Sequence, residues 1–227
     1  MTLIELQDVD KVYETDATSV KALDDVTLIV EKGEFMSVAG PSGSGKTTLL
    51  NLIGGLDKPT SGKVKISNRI TGRMTDSELD SMRLEKIGFV FQTFNLIPTL
   101  TALENVELVL SITGLSSSEQ EERAKKLLEM VGLGDRLNHR PSQLSAGERQ
   151  RVSIARALAN DPEIVLADEP TGNLDTDTGN EVVDLMRKLN EELNKTFIIV
   201  THDPNVAKRT DRIVRLKDGA IVGEDSK

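Results

Sequence analysis

The octapeptide Gly40-Pro41-Ser42-Gly43-Ser44-Gly45-Lys46-Thr47 constrains this chain more than any other feature. It has the form G-x-x-x-x-G-K-[ST], in which glycines let the backbone curl so that several N–H groups converge on one anion. The compact apolar run Phe35–Ala39 precedes it, and residues 47–53 behind it have helical spacing. The predicted context is therefore strand, loop, helix, with the positive end of the helix, Thr48 included, aimed at the same phosphates. In that arrangement Lys46 reaches the β- and γ-phosphates of a nucleotide, and the Thr47 hydroxyl is a Mg²⁺ ligand. The loop specifies nucleotide binding. It leaves ATPase, GTPase and kinase open.

The rest of the chain falls into three stretches. The first third reads as β-rich, with strands predicted at 3–9, 27–30 and 63–67 between Gly, Asp and Asn turn signals. From about 101 to 160 the pattern is helical. Ala124, Leu127, Leu128 and Val131 share one face there, as do Val152, Ala155 and Leu158. The last third alternates strand 164–167, amphipathic helix 177–190, strand 197–200 and short helix 204–209. It ends in a hairpin, 212–216 and 220–222, around Asp218-Gly219. Alternating strands and helices predict an α/β fold with a mainly parallel sheet covered on both faces. The helical middle is an insertion into it.

Composition narrows the function classes. The 227 residues carry a formal net charge of -9, which opposes a nucleic-acid partner and direct adhesion to anionic lipid. There is no cysteine, so disulfides, thiolate metal sites and a cysteine nucleophile are excluded. The first residues lack the pattern of a signal peptide, and no apolar run reaches about 18 residues. Membrane insertion is not expected, and any membrane role comes through a partner.

Other positions carry chemistry only in combination. Ile164-Val165-Leu166-Ala167 ends in Asp168-Glu169. A buried strand here delivers Asp168 to the carboxyl edge of the sheet, where it holds Mg²⁺ through its water shell, and Glu169 becomes the general base for an attacking water. The plainer alternative is a strand ending in an acidic turn. Ser145 and Glu148 fit a capping box, and the same helix start can bind a phosphate of another molecule. Gln92, His202 and Tyr13, taken singly, are polar or packing residues.

Taken in order, the phosphate loop, Gln92, Leu144-Ser145-Ala146-Gly147-Glu148, Asp168-Glu169, Asn173-Leu174-Asp175 and His202 resemble the ATP-binding cassette family over essentially the whole chain. The segments Gly54 to Gly62, Leu100 to Val106, Asn138 to Ser142 and Ala167 to Asp175 are similar to its lipoprotein-release and macrolide-export branch, which also holds a cell-division subunit. The resemblance implies a P-loop NTPase (RecA-like) core, 1–91 and 161–227, with a small antiparallel β subdomain. It implies a helical signature subdomain at 92–160. Tyr13 is then the adenine platform, Gln92 a sensor of Mg²⁺ and of the attacking water, and His202 a γ-phosphate contact. Asp175 lies at a subunit seam, and Ser145, Gly147 and Glu148 face nucleotide held by a second copy. Two chains would close head-to-tail over two ATP and drive an integral membrane permease, with Phe94-Asn95-Leu96-Ile97-Pro98 as docking surface or as subdomain packing. The chain would then lie in the cytoplasm, peripheral on the inner face of the cell membrane. One departure stands out: the family has Gly where this chain has Ala146, and the added methyl crowds the approach to phosphate. The alternatives are a non-transporting regulator of an envelope complex and, less in keeping with the charge, a soluble cassette acting on nucleic acid.

Overall fold

The computed structural model describes residues 1–14 and 18–227. Strands β1 (Thr2–Glu14) and β2 (Ser19–Glu31) pair antiparallel, and β3 (Phe35–Ala39) leads through the phosphate loop into α1 (Lys46–Ile53). Then come β4 (Ser61–Ile66), β5 (Arg69–Ile70), α2 (Asp76–Lys86) and β6 (Ile87–Phe91). The middle holds α3 (Ala102–Leu110), α4 (Ser117–Met130) and α5 (Ala146–Ala157). The chain ends with β7 (Ile164–Asp168), α6 (Thr176–Leu193), β8 (Thr196–Thr201), α7 (Pro204–Ala207), β9 (Arg212–Lys217) and β10 (Ala220–Ser226).

Two sheets result. One is antiparallel, in the order β2-β1-β4-β5. The other runs β10-β9-β3-β8-β7-β6, with parallel pairing throughout except at the β10 edge. Apolar runs without alternation, such as Ile164-Val165-Leu166-Ala167, are explained by burial on both faces. Val165, Ala167, Phe197 and Ile199 pack into a core with α3, α4, α5 and α6. Their neighbours Ile164, Leu166, Ile198 and Val200 pack into a second core with α1, α2 and the antiparallel sheet.

Several predicted elements grow. The strand predicted at 3–9 extends to Glu14 and the one at 27–30 begins at Ser19, with register shifts along the pair that mask the alternation. The strand predicted at 63–67 stops at Ile66, because Ser67 and Asn68 turn with φ of 46° and 67°. Helix α2 was not expected. It buries only Leu79 and Met82, too few for a periodic stripe, and its sequence mark is the capping box of Thr75 with Glu78. The hairpin turn is as expected, with φ of 48° at Asp218 and 84° at Gly219.

The carboxyl ends of β3, β8 and β7 lie side by side. In open α/β sheets that edge is where ligands bind. It brings the phosphate loop, His202 and Asp168-Glu169 to one place.

Candidate active site

Helix α1 starts at Gly45, whose φ of 100° excludes a side chain in comfort. A Cβ there would also lie 2.4 Å from the Ala22 carbonyl oxygen. No side chain caps α1, and its first turn holds no acid, so its leading N–H groups are free for an anion. The Lys46 ammonium is buried and donates to the carbonyls of Gly40 at 2.9 Å and Pro41 at 2.8 Å. The buried Ser44 hydroxyl has no hydrogen-bond partner among the described residues. Ser42 is exposed. A cleft of about 430 Å³ opens beside the loop, lined by Val20, Lys21, Gly43, Lys46, Thr47 and Asp218.

The Thr47 hydroxyl stands 3.3 and 3.4 Å from the two Asp168 carboxylate oxygens. Burial pushes the Asp168 carboxyl up, against the Thr47 hydroxyl bond that lowers it. A half-buried carboxylate held high in this way gains from a cation. Among the described residues no group of three or more His, Cys, Asp or Glu could hold a metal alone. Thr47 and Asp168 offer hard oxygens that fit Mg²⁺ only when phosphate and water complete its shell.

Glu169 follows β7 with φ of 48°, and its N–H donates to the Val200 carbonyl at 2.9 Å. That turn puts the Glu169 carboxylate 2.5 Å from His202 Nδ1. Gln92 belongs to the same neighbourhood. Its carbonyl accepts from Asn173 Nδ2 at 2.9 Å, and its side-chain amide lies against Gly172. Tyr13 lies near the end of β1 and Thr48 in the first turn of α1; the Tyr13 hydroxyl donates to Asp57 Oδ2 at 2.8 Å.

Ser145, Gly147, Glu148 and Asp175 are elsewhere. The first three line a cavity of about 390 Å³ with Gly132, Arg151 and Thr178, which shares no residue with the phosphate-loop cleft. Ser145 caps α5: its hydroxyl accepts from Glu148 N–H at 3.2 Å, and the Glu148 carboxylate accepts from Ser145 N–H at 2.8 Å. The Ser145 N–H bond holds the Glu148 carboxyl below the usual range. Gly147 has an intrachain reason as well, since a Cβ would come 2.5 Å from the Thr178 methyl on α6. Asp175 caps α6, accepting from Thr178 N–H at 3.0 Å and Thr178 Oγ1 at 2.7 Å.

Sequence reasoning missed Gln150. It is fully buried on α5, and its Nε2 donates to the carbonyls of Pro170 at 2.7 Å and Phe91 at 3.4 Å. It thus ties the signature helix to the loops that carry Glu169 and Gln92. The available signal was a polar residue spaced i+4 and i+7 from Ile154 and Ala157, on the face of α5 away from the apolar stripe Val152, Ala155 and Leu158.

Residues 23–172 match the protein-family model described as ABC transporter. An uncharacterized ABC transporter ATP-binding protein of Thermotoga maritima is 55% identical over 97% of this chain and 94% of its own length. The macrolide export ATP-binding/permease protein MacB of Hyphomonas neptunium is 46% identical over 98% of this chain, which spans only 34% of that relative. Among solved structures, the dimeric ATP-binding cassette MJ0796, in a post-hydrolysis state bound to ADP and Pi, has a TM-score of 0.90 at 51% identity. It matches 99% of this chain and 98% of that one. With a phosphate loop, a Thr47–Asp168 pair and a Glu169–His202 contact at one sheet edge, this chain belongs to the ABC transporter family, as one of its ATPase cassettes.

Proposed function

We propose that this chain works as a homodimer that closes over two ATP and drives an integral membrane permease, exporting or extracting a lipoprotein, peptide or drug-like substrate. The observation that carries the dimer is the separation of the two half-sites, which share no lining residue within one chain. The dimeric form of MJ0796 supports it. The name of the MacB relative, an export permease, supports the membrane partner.

In this reading the phosphates of ATP lie on the α1 N-terminus, and the Lys46 ammonium exchanges loop carbonyls for β- and γ-phosphate oxygens. Thr47 and Asp168, with Gln92, would hold Mg²⁺, which would neutralise phosphate charge. Glu169 takes a proton from the attacking water as its oxygen bonds to the γ-phosphorus. The bond to the β-phosphate oxygen then breaks, releasing ADP and phosphate. His202 steadies the γ-phosphate and Tyr13 carries the base. Ser145, Gly147 and Glu148, with Asp175 at the seam, complete the site from the second copy. Residues 92–160 act as the arm that moves them.

The permease would seat in a groove of about 520 Å³ where the arm meets the core, lined by Phe89, Phe91, Asn95, Ile97, Leu108 and Arg156. Its walls are mostly apolar, Ile97 and Leu108 are exposed, and Arg156 fixes the rim by donating to the Phe94 carbonyl at 2.9 Å. Among the described residues no helix is long and apolar enough to cross a membrane. This suits a peripheral place on the cytoplasmic face.

The test is Glu169→Gln. With ATP it should bind, hydrolyse about 100-fold or more slowly, and run as a dimer on gel filtration. A variant that stays monomeric and still turns over would refute the reading.

A further inference from the structure

Tyr13 is 40% exposed, yet two groups define where its ring can go. Its hydroxyl donates to Asp57 Oδ2 at 2.8 Å. The Lys11 ammonium stands 4.7 Å from the ring centroid and covers one face. A solvent-facing tyrosine normally samples several rotamers; this one is held at its tip and along one face.

Asp57 is itself anchored. It follows α1 in the turn after Gly54-Gly55-Leu56, and its N–H donates to the Asn51 carbonyl at 3.3 Å. Its Oδ1 accepts from Lys11 Nζ at 2.7 Å and from Lys58 N–H at 2.7 Å. Lys11 Nζ also donates to the Lys58 carbonyl at 2.9 Å, so the cation is fixed to the turn as well. Burial pushes the Asp57 carboxyl up, but Lys11, Tyr13 and the Lys58 N–H outweigh it and hold the group below the usual range. Burial and the carboxylate push the Tyr13 phenol up, so it stays a neutral donor. The first turn of α1 thus adjoins the phosphate loop, and its exit turn holds the tyrosine.

We propose that Asp57 is a positioning residue for nucleotide recognition, accepting the Tyr13 hydroxyl while Lys11 backs the ring, so that the ring face opposite Lys11 is presented to the base. The inference rests on the reading that Tyr13 carries the base. Its physical basis is preorganisation, since the entropy of ordering an exposed ring is spent in folding and not in binding. A stacking platform tolerates any flat base, so the effect falls equally on ATP and GTP.

Calorimetric titration of the full chain with ATP and with inorganic tripolyphosphate, which has no base, tests it. Tyr13→Ala should weaken ATP by roughly tenfold and leave tripolyphosphate unchanged. Tyr13→Phe and Asp57→Ala should each weaken ATP by roughly two- to tenfold, again without touching tripolyphosphate, and the double variant should be no worse than either. The chain has one tyrosine and no tryptophan, so phenol emission in the absence of nucleotide reports Tyr13 alone. That emission should rise in Asp57→Ala as the quenching carboxylate is lost. If Tyr13→Ala is silent, the base-facing reading falls and this inference with it. If Tyr13→Ala weakens ATP while Tyr13→Phe and Asp57→Ala do not, the positioning role alone is overturned. Equal loss of tripolyphosphate in Asp57→Ala would overturn it too, because the residue would then act through the phosphate loop. Should Asp57→Ala fail to fold, Tyr13→Phe decides by itself.

Discussion

Helices α1 and α5 both begin at a proposed phosphate site, and they begin in opposite ways. Helix α1 has a left-handed glycine at its start, no side-chain cap and no acid in its first turn. Helix α5 has a complete capping box and Glu148 in its first turn. Helices α2, α3, α4 and α6 are capped by Thr75, Thr101, Ser116 and Asp175. Among the described helices of eight residues or more, α1 is thus the one without a side-chain cap. Orphan N–H groups at a helix start are satisfied by a side chain, water or a ligand. In the proposed function, the α1 start is finished by phosphate from its own chain's nucleotide. The α5 start is finished already, so a phosphate arriving there adds to a stable helix and must meet the Glu148 charge. In the proposed dimer the first half-site would bind phosphate the more strongly and the second the more weakly, as a dimer that opens after each turnover requires.

That contrast can be broken at either end. The largest effect should come from Lys46→Ala, which removes two charge-assisted phosphate contacts and should weaken ATP binding to the monomer about tenfold or more. Calorimetry reads it directly. At the other helix, Gly147→Ala forces a methyl toward Thr178, 2.5 Å away, and should cost about 1–3 kcal/mol of stability. Denaturant titration should find that loss with nucleotide binding by the monomer intact. Ser145→Ala removes the cap and should cost about 1 kcal/mol, visible as a lower Tm, again with monomer affinity unchanged.

The smallest effect returns to the phosphate-loop side. Burial raises the Asp168 carboxyl, so its contribution to stability is in full below the ordinary carboxyl range and is lost as pH rises through the raised value. Asp168→Asn should therefore be at least as heat-stable as the parent at neutral pH, with the advantage gone in acid. Thermal melts across pH check the sign.

The legible parts of this molecule are those whose signal is local. The phosphate loop, the strand before Asp168 and the Ser145–Glu148 box each lie within a few residues, and the structure places them as their spacing predicts. Helix α2 escaped because a surface helix with two buried side chains has no stripe to read. The ends of β1 and β2 escaped because the register shifts break the period of two. In the site, the missing contacts are those made across the fold. Asp57 meets Tyr13 across 44 positions, and Gln150 meets Pro170 across 20. Gly147 read as a phosphate contact, and its packing on Thr178 needed the α5–α6 crossing to be seen.

The central claim is that neither half-site hydrolyses ATP without the other. Specific ATPase activity measured over a wide range of protein concentration, with ATP saturating, tests it most directly. The account predicts activity per chain that rises with concentration and falls toward zero on dilution into the monomer range. Activity per chain that stays constant on dilution, in protein shown to be monomeric, would contradict it.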